Sequence, residues 1–422
     1  MSSPLETPRT HKVLASVVTV ALMVGLAGCT GDAGVGPADP TGDAQDSPLA
    51  DALDQTLDAT LQDAGDQGVQ AVLIRDGVVV WSTERGDAIM NVHPALAVDS
   101  NTLFNLGSFG KLVLGTFALA QVEEKRLELD TPIAEYVGDE IAGSDVVTLR
   151  MLLSHTSGYG NVYADPAVTP LFPPGTEGAP IGTAPSEYEP DRAFTFEQLN
   201  AGITAPVDPG SIYEYQDTNY IVLLRVLTEV FGGEAEVTEA VNAFLTDAGA
   251  QDAESGAVMT CDRDADSTIE HFAHGYTPLA NDLGLQDYNT AYGATGVPSD
   301  EFGFPFGDGF FAGNALGAAS FLDALFTGET VLDPATVEMM IEPTEQALAA
   351  DDTTGLSTSR KTIDGIEWQG HGGSFGGFTS ASFTDMESGA TLVVLTNRGR
   401  PSPTVAASLW EALAATYAES GD

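Results

Sequence analysis

Apolar positions change from helical to strand spacing near the N-terminal end of the chain. Leucines recur at every fourth position over 49–64, which predicts an amphipathic helix. Two strand-like runs follow at 69–74 and 78–82, on either side of Asp76 and Gly77. These two residues tolerate the positive φ angles that a two-residue hairpin turn requires. We therefore predict a helix followed by a β-hairpin.

The same kinds of element recur in the opposite order near the C-terminal end. Strand-like runs at 377–383 and 390–396 precede a helical pattern at 405–417. The simplest architecture brings both ends of the chain into one antiparallel sheet. This predicts an α+β fold, in which an antiparallel sheet is flanked by helices and a helical domain is inserted at about 113–350.

The inserted segment carries amphipathic helical patterns separated by loops rich in proline and glycine. We predict helices over 112–126, 148–153, 220–231, 321–325 and 334–341. The region 166–190 has the composition of a long loop, and loops of that length are usually functional lids or disordered segments.

Composition indicates a folded and strongly acidic protein. Hydrophobic residues make up 43% of the 422 positions, enough to bury a sizeable core. Lys and Arg number 15 against 62 Asp and Glu, a formal net charge of −47 that repels nucleic-acid phosphates and anionic lipid surfaces. We therefore expect no nucleic acid as partner, and the acidity by itself does not identify a substrate.

The first residues have the pattern of a secretory signal. Basic residues up to Lys12 precede an apolar run at 13–26, which is shorter than the roughly 20 residues of a spanning helix. The run ends in Leu-Ala-Gly-Cys at Cys29, which resembles the lipobox of bacterial lipoproteins. The resemblance implies removal of the signal 1–28, lipidation of Cys29, and a flexible tether at 29–48 before a domain at 49–418. We expect an extracytoplasmic protein that contacts the membrane through its lipid anchor only.

Cys261 is the second of only two cysteines. Once Cys29 is acylated, Cys261 has no partner for an internal disulfide. Neighbouring carboxylates also raise a thiol's pKa, so we interpret Cys261 as incidental. The fold must then be stabilised by its hydrophobic core.

Candidate chemistry begins where Ser108 and Lys111 stand three positions apart at the start of a helix. This spacing places both side chains on one helix face. A serine hydroxyl becomes a good nucleophile when a base takes its proton, and a helix N-terminus offers N–H groups to the oxyanion that forms. Only four lysines occur in the chain, which favours a functional reading of Lys111.

This segment resembles the active-site segment of the serine β-lactamase and penicillin-binding-protein superfamily. The resemblance is to the branch of class C β-lactamases, D-alanyl-D-alanine carboxypeptidases, D-aminopeptidases and related esterases. It extends over segments that occur in the family's order, at 102–111, 127–133, 148–158, 209–220 and 370–378. The chain is therefore identified as a serine hydrolase of this superfamily. The resemblance implies the corresponding fold, a small-molecule or peptide substrate as partner, and neither a metal nor an organic cofactor.

The resemblance also implies roles for individual residues. Ser108 would be the acylated nucleophile, with Lys111 and Tyr215 sharing proton transfer. Backbone N–H groups of Ser108 and Ser374 would form the oxyanion hole. Substrate-binding positions would be Asp217, His371, Gly372 and Gly373.

Asp217 stands where the family usually has Asn. To act as a neutral base near pH 7, Lys111 needs a pKa about 3 units below ~10.4, worth roughly 4 kcal/mol. A carboxylate beside Lys111 would stabilise the ammonium instead, and it would disfavour a tyrosinate at Tyr215 by like charge. The alternative is that Asp217 is protonated or turned away from Lys111.

His371 replaces the lysine of the β-lactamase motif by a group that is mostly neutral at pH 7. Together with Asp217, it weakens recognition of substrate carboxylates, so esters or peptides with a free ammonium fit better than β-lactams. Two alternatives stay open: a penicillin-binding D,D-carboxypeptidase or β-lactamase, and a catalytically inactive homologue that binds peptidoglycan or peptides.

Other candidate residues have simpler interpretations. Glu270, His271 and His274 lack a metal-binding motif and are interpreted as a surface or loop cluster. His155 belongs to an HTSG segment in which the family uses the histidine structurally. We expect Trp81, Trp368 and Trp410 to be core residues. A group of phenylalanines is interpreted as core, with an apolar acyl or aryl pocket as the alternative: Phe302, Phe304, Phe306, Phe310 and Phe311.

Overall fold

The computed structural model describes residues 47–64, 67–90, 92–171, 195–262, 270–278, 285–287, 311–328, 330–399 and 404–421. The strands, numbered in chain order, are β1 (Val69–Arg75), β2 (Val78–Arg85), β3 (Asp87–Ile89), β4 (Leu96–Ala97), β5 (Phe104–Asn105), β6 (Met259–Thr260), β7 (Tyr276–Pro278), β8 (Leu285–Asp287), β9 (Ala312–Gly313), β10 (Ser359–Ile363), β11 (Ile366–Phe375), β12 (Phe378–Asp385) and β13 (Thr391–Thr396). The α-helices are α1 (Pro48–Ala64), α2 (Phe109–Glu123), α3 (Ala134–Val137), α4 (Leu149–Leu153), α5 (Phe196–Asn200), α6 (Thr218–Phe231), α7 (Glu234–Asp247), α8 (Ala315–Phe326), α9 (Pro334–Ile341), α10 (Glu345–Ala349) and α11 (Val405–Ser420).

A six-stranded antiparallel sheet forms the centre, in the order β10-β11-β12-β13-β1-β2. Strand β1 pairs with β13, so that Val69 lies opposite Thr396. The prediction that both ends of the chain share one antiparallel sheet is confirmed, and with it the α+β fold class. The predicted β1–β2 turn is also confirmed, because Asp76 and Gly77 have φ angles of 54° and 72°.

Helices cover both faces of this sheet because successive side chains of a strand point to opposite sides. Ala71 and Leu73 of β1 face α1 and α11, whereas Val72 and Ile74 face the core that includes α2 and α8. Both cores are apolar, with leucines such as Leu53 in one and Leu114 in the other fully buried. The core positions predicted for the three tryptophans are confirmed, since Trp81, Trp368 and Trp410 are at most 2% exposed.

Helix α2 begins earlier and ends earlier than predicted. It starts at Phe109 rather than at residue 112, with Ser108 at its N-cap position. It ends at Glu123 because Lys125 adopts a positive φ of 62°, which a helix cannot continue through. The shift places Lys111 in the first turn of the helix, next to Ser108.

Helix α8 is longer than the predicted 321–325. Residues 315–320 are mostly small and show no apolar stripe, so the apolar pattern marks only the second half of the helix. Its start has a different signal, an Asn314 side chain that accepts a hydrogen bond from the backbone N–H of Gly317 at 2.8 Å. Side-chain capping, rather than periodicity, marks this boundary.

Several predictions fall outside the described residues. They include the signal, Cys29 and nearly all of the tether, residues 172–190 of the long loop, and Phe302, Phe304, Phe306 and Phe310. Phe311 is described and is a fully buried core residue. Within the described part of the chain, no helix is both long and apolar enough to span a bilayer.

Candidate active site

Ser108 lies at the N-terminal end of α2, where the central sheet passes close to the helix. Gly107, just before it, has a φ of 56°, in the region that favours glycine. A Cβ atom at Gly107 would lie 2.8 Å from the backbone nitrogen of Ser374 on β11. Only glycine therefore lets the Ser108 turn and strand β11 approach this closely.

Strand β11 shows the same constraint from its own side. A Cβ at Gly373 would lie 2.1 Å from the carbonyl oxygen of Leu106 and 2.9 Å from the backbone nitrogen of Ser108. The Ser380 hydroxyl on β12 donates a hydrogen bond to the same Leu106 oxygen at 2.7 Å. The backbone nitrogens of Ser108 and Ser374 thus lie on neighbouring segments, the arrangement that a two-donor oxyanion hole needs. The sequence carries no motif that would have identified Ser380.

Lys111 lies one helical turn after Ser108 and is 1% exposed. Its Nζ atom donates a hydrogen bond to Ser108 Oγ at 3.1 Å. The spacing of three residues at the helix start therefore brings together the two side chains that the sequence pattern singled out.

Asp217 faces Lys111 directly, at a distance of 2.8 Å between Oδ1 and Nζ. The interpretation that Asp217 is turned away is wrong. Asp217 is the last residue before α6, and its side chain is 31% exposed, whereas that of Lys111 is 1% exposed. An opposite charge this close stabilises the ammonium form of the lysine.

Tyr215 forms the side of the site opposite β11. Lys111 Nζ lies 5.4 Å from the centre of its ring. The residue is 39% exposed, but its hydroxyl lies among protein groups, and this burial raises the pKa of Tyr215. The charge of Lys111 and hydrogen bonds with the side chains of Ser108 and Lys111 oppose the rise, whereas Asp217 adds to it. The hydroxyl is therefore a neutral group within reach of the nucleophile.

His371 lies on β11 with its ring centre 6.2 Å from that of Tyr215. Burial lowers the pKa of His371 to about 4, and the charge of Lys111 contributes in the same direction. The carbonyl of Gly372, which accepts a hydrogen bond from Nδ1, opposes the shift, as do Asp217 and Asp352. The imidazole is therefore neutral at pH 7, as expected from the sequence, and Nε2 is left as an acceptor. The proximity of Asp352 was not foreseen, since its loop carries no recognisable motif.

His155 lies beneath Tyr215 and is 2% exposed. Its ring stacks on that of Tyr215, with 4.3 Å between centres and 27° between planes. It is packed inside the site rather than at its surface.

Two further predictions concern residues away from this site. Burial, with a contribution from Asp262, raises the pKa of the Cys261 thiol, so the incidental role predicted for this residue agrees with its surroundings. His274 is paired with Asp287 at 2.9 Å. Among the residues that the structure describes, no three His, Cys, Asp or Glu side chains are grouped as a metal site would require.

The fold is that of the β-lactamase and transpeptidase class. The chain belongs to the Beta-lactamase family, whose family model matches residues 53–416. A solved D-amino acid amidase from Ochrobactrum anthropi SV3, complexed with L-phenylalanine amide, has the same fold with a TM-score of 0.68 at 19% identity. The match covers 89% of this chain and all of that one.

Curated relatives match over shorter stretches. Esterase EstB of Burkholderia gladioli is 32% identical over 128 residues, covering 29% of this chain and 32% of EstB. Penicillin-binding protein 4 of Amycolatopsis lactamdurans is 25% identical over 156 residues, which is 36% of each chain. The matched segments therefore span about a third of these relatives.

Proposed function

We propose that this protein is a serine hydrolase that works through an acyl-enzyme on Ser108. The observation that carries the proposal is the convergence of three elements on one hydroxyl. Lys111 donates to Ser108 Oγ at 3.1 Å, Tyr215 interacts with the same side chain, and the backbone nitrogens of Ser108 and Ser374 lie on neighbouring segments. Nucleophile, proton carriers and oxyanion donors are the parts that acyl transfer needs.

The reaction would proceed in two steps. Ser108 Oγ attacks the substrate carbonyl. The Tyr215 hydroxyl accepts its proton and passes its own to the leaving alcohol or amine as the bond to carbon breaks, while the Lys111 ammonium donates a hydrogen bond within the site. Water then attacks the acyl carbonyl, and its proton returns to Ser108 as the acid leaves. The N–H groups of Ser108 and Ser374 stabilise the oxyanion formed in each step.

Charge at the site favours substrates that carry no carboxylate near the scissile bond. Asp217 neutralises Lys111 at 2.8 Å, and His371 is neutral with Asp352 close enough to influence it. We therefore propose that the substrates are esters, or amides and peptides containing D-amino acids with a free ammonium. The likeness to an esterase and the shared fold with a D-amino acid amidase support this choice.

A penicillin-binding D,D-carboxypeptidase or β-lactamase is the second candidate. The similarity to Penicillin-binding protein 4 favours it. Asp217 argues against it, because a carboxylate 2.8 Å from the site's lysine repels the carboxylate that these substrates carry.

Labelling of the full-length protein in detergent with a serine-reactive fluorophosphonate tests the proposal. We expect a single adduct by intact-mass spectrometry, absent in Ser108→Ala. Activity panels of neutral esters, D-amino acid amides and penicillins then separate the two candidates. A folded protein that gains no adduct would point to the third possibility, an inactive homologue that binds peptides or peptidoglycan.

We also propose that the protein is exported and held to the cell membrane by lipid on Cys29. The Leu-Ala-Gly-Cys sequence after an apolar run supports this. Mass spectrometry of the N-terminal peptide should show a diacylglyceryl group on Cys29. A protein that stays in the membrane fraction after Cys29→Ala would contradict the anchor.

A further inference from the structure

The chain on both sides of Tyr215 is held by one residue, His155. The backbone N–H of Gln216 donates to His155 Nδ1 at 3.1 Å. The backbone N–H of Glu214 donates to the carbonyl oxygen of His155 at 2.9 Å. With the ring stacked at 4.3 Å, His155 fixes the backbone before and after Tyr215 as well as the plane of its side chain.

Asn219 completes this arrangement from the first turn of α6. Its Oδ1 accepts a hydrogen bond from the Ser157 hydroxyl, which directs its Nδ2 toward His155 Nδ1 at 3.1 Å. Two donors thus share the lone pair of Nδ1, so this nitrogen carries no proton. The neutral ring then has its proton on Nε2.

The surroundings keep this imidazole neutral. Burial lowers the pKa of His155 well below its usual range, and the charge of Lys111 adds to the effect. The rings of Tyr213 and Tyr220 enclose it, with centres 6.2 Å and 5.3 Å away. A protonated Nδ1 would lose both of its donors, so the neutral form is the one that can hold the Tyr215 segment.

The backbone of His155 is also unusual. Its φ angle is 54°, a left-handed conformation that is unfavourable for a residue with a side chain. Such strain persists where the surrounding contacts hold the residue in place. Here those contacts are the hydrogen bonds and ring stacking that involve residues 214–219.

We propose that His155 is a positioning residue that holds the Tyr215 hydroxyl at Ser108 and Lys111. This rests on the proposed function, since it assigns Tyr215 to proton transfer. His155 acts through Tyr215 and touches neither the substrate nor the reacting atoms.

Two substitutions separate the contributions of His155. His155→Asn keeps an oxygen acceptor near the place of Nδ1 and tolerates the left-handed backbone, but it loses the ring. His155→Phe keeps a ring to stack on Tyr215 and removes the acceptor. Each is made in the wild-type protein and in Tyr215→Phe, and thermal unfolding confirms that all variants are folded.

The readouts are kcat and KM for a neutral p-nitrophenyl ester. In the wild-type background we expect His155→Phe to lower kcat about 100-fold with KM within about threefold, and His155→Asn to retain about a tenth of kcat. In the Tyr215→Phe background, His155→Phe should cost less than about threefold, because residues that act through one another are not additive.

A merely structural role predicts a different result. His155→Phe would then cost the same factor in both backgrounds, and that outcome would overturn the inference. A folded His155→Phe variant with wild-type kcat would overturn it as well, while leaving the function of Ser108 intact. Absence of wild-type labelling at Ser108 would instead overturn the proposed function, and this inference with it.

Discussion

The two sides of the candidate site hold their functional atoms by different means. One side, the glycine wall (residues 107–111 and 371–374), is fixed by backbone contacts that leave no room for a Cβ at Gly107 or Gly373. The other, the tyrosine wall (residues 213–219 with His155), is fixed by hydrogen bonds, ring stacking and charge. The oxyanion donors therefore depend on packing, whereas proton transfer and substrate charge depend on a few side chains.

The largest expected effect comes from breaking the glycine wall. Gly373→Ala would place a Cβ 2.1 Å from the Leu106 oxygen and must push β11 away from Ser108. A displacement of about 1 Å at reacting groups costs about 100-fold in rate, so we expect at least that loss in kcat/KM. Steady-state kinetics with a neutral ester measures it.

The matched control is the neighbouring glycine. A Cβ at Gly372 would have its nearest contact at 3.2 Å, with the backbone oxygen of Ser380. Gly372→Ala should therefore lose far less activity than Gly373→Ala. Equal losses in the two variants would show that close approach is not what fixes this wall.

A smaller effect is expected from the charge of the tyrosine wall. Asp217→Asn removes the carboxylate that lies 2.8 Å from Lys111. We expect acylation by a penicillin to rise about tenfold relative to hydrolysis of a neutral ester, because repulsion of the substrate carboxylate is lost. The measurement is the ratio of the two second-order rate constants.

Asn at position 217 is nearly isosteric with Asp, so this comparison isolates charge. If penicillin acylation improves no more than ester hydrolysis, Asp217 does not set the substrate preference. The carboxylate at position 217 would then need an explanation other than substrate preference.

The smallest effect concerns stability against pH. The pKa of His371 is lowered to about 4, whereas an unfolded histidine titrates near 6.5. As pH falls from about 6.5 to 4, the unfolded state takes up a proton that the native state does not, so the free energy of unfolding decreases. Urea unfolding at about pH 7, 5.5 and 4.5 should show this decrease, and His371→Gln should reduce it.

In His371→Gln, the free energy of unfolding will still fall somewhat with pH, because the pKa of His155 is also lowered. If the free energy of unfolding falls with pH as steeply in His371→Gln as in the wild type, the neutral state assigned to His371 is contradicted. Activity between about pH 6 and 8 should not depend on the charge of His371.

Local signals were sufficient for much of the fold. The Asp76-Gly77 turn is predictable because only a few residue types readily adopt positive φ. Helix α1 is predictable from its four-residue leucine spacing, because the helix packs one side against the sheet. The apolar pattern of α2 begins three residues inside the helix, because Ser108 begins the helix without a side-chain cap and Gly107 does not extend the pattern.

The candidate site could be predicted in its residues but not in its contacts. Ser108 and Lys111 lie one turn apart, so their proximity follows from helix geometry. Whether Asp217 faces Lys111 depends on how α6 docks against α2, which no local pattern encodes. Ser380 and Asp352 reach the site through strand pairing and loop packing, and therefore left no signal in the sequence.

The most direct test of the central claim is to trap the acyl-enzyme during turnover of a neutral ester. We expect acid-quenched wild-type protein to gain the mass of the acyl group, on the peptide that contains Ser108, and Ser108→Ala to gain none and to lose hydrolysis. Ester hydrolysis that persists in a folded Ser108→Ala protein, or an acyl group found on another residue, would contradict the account.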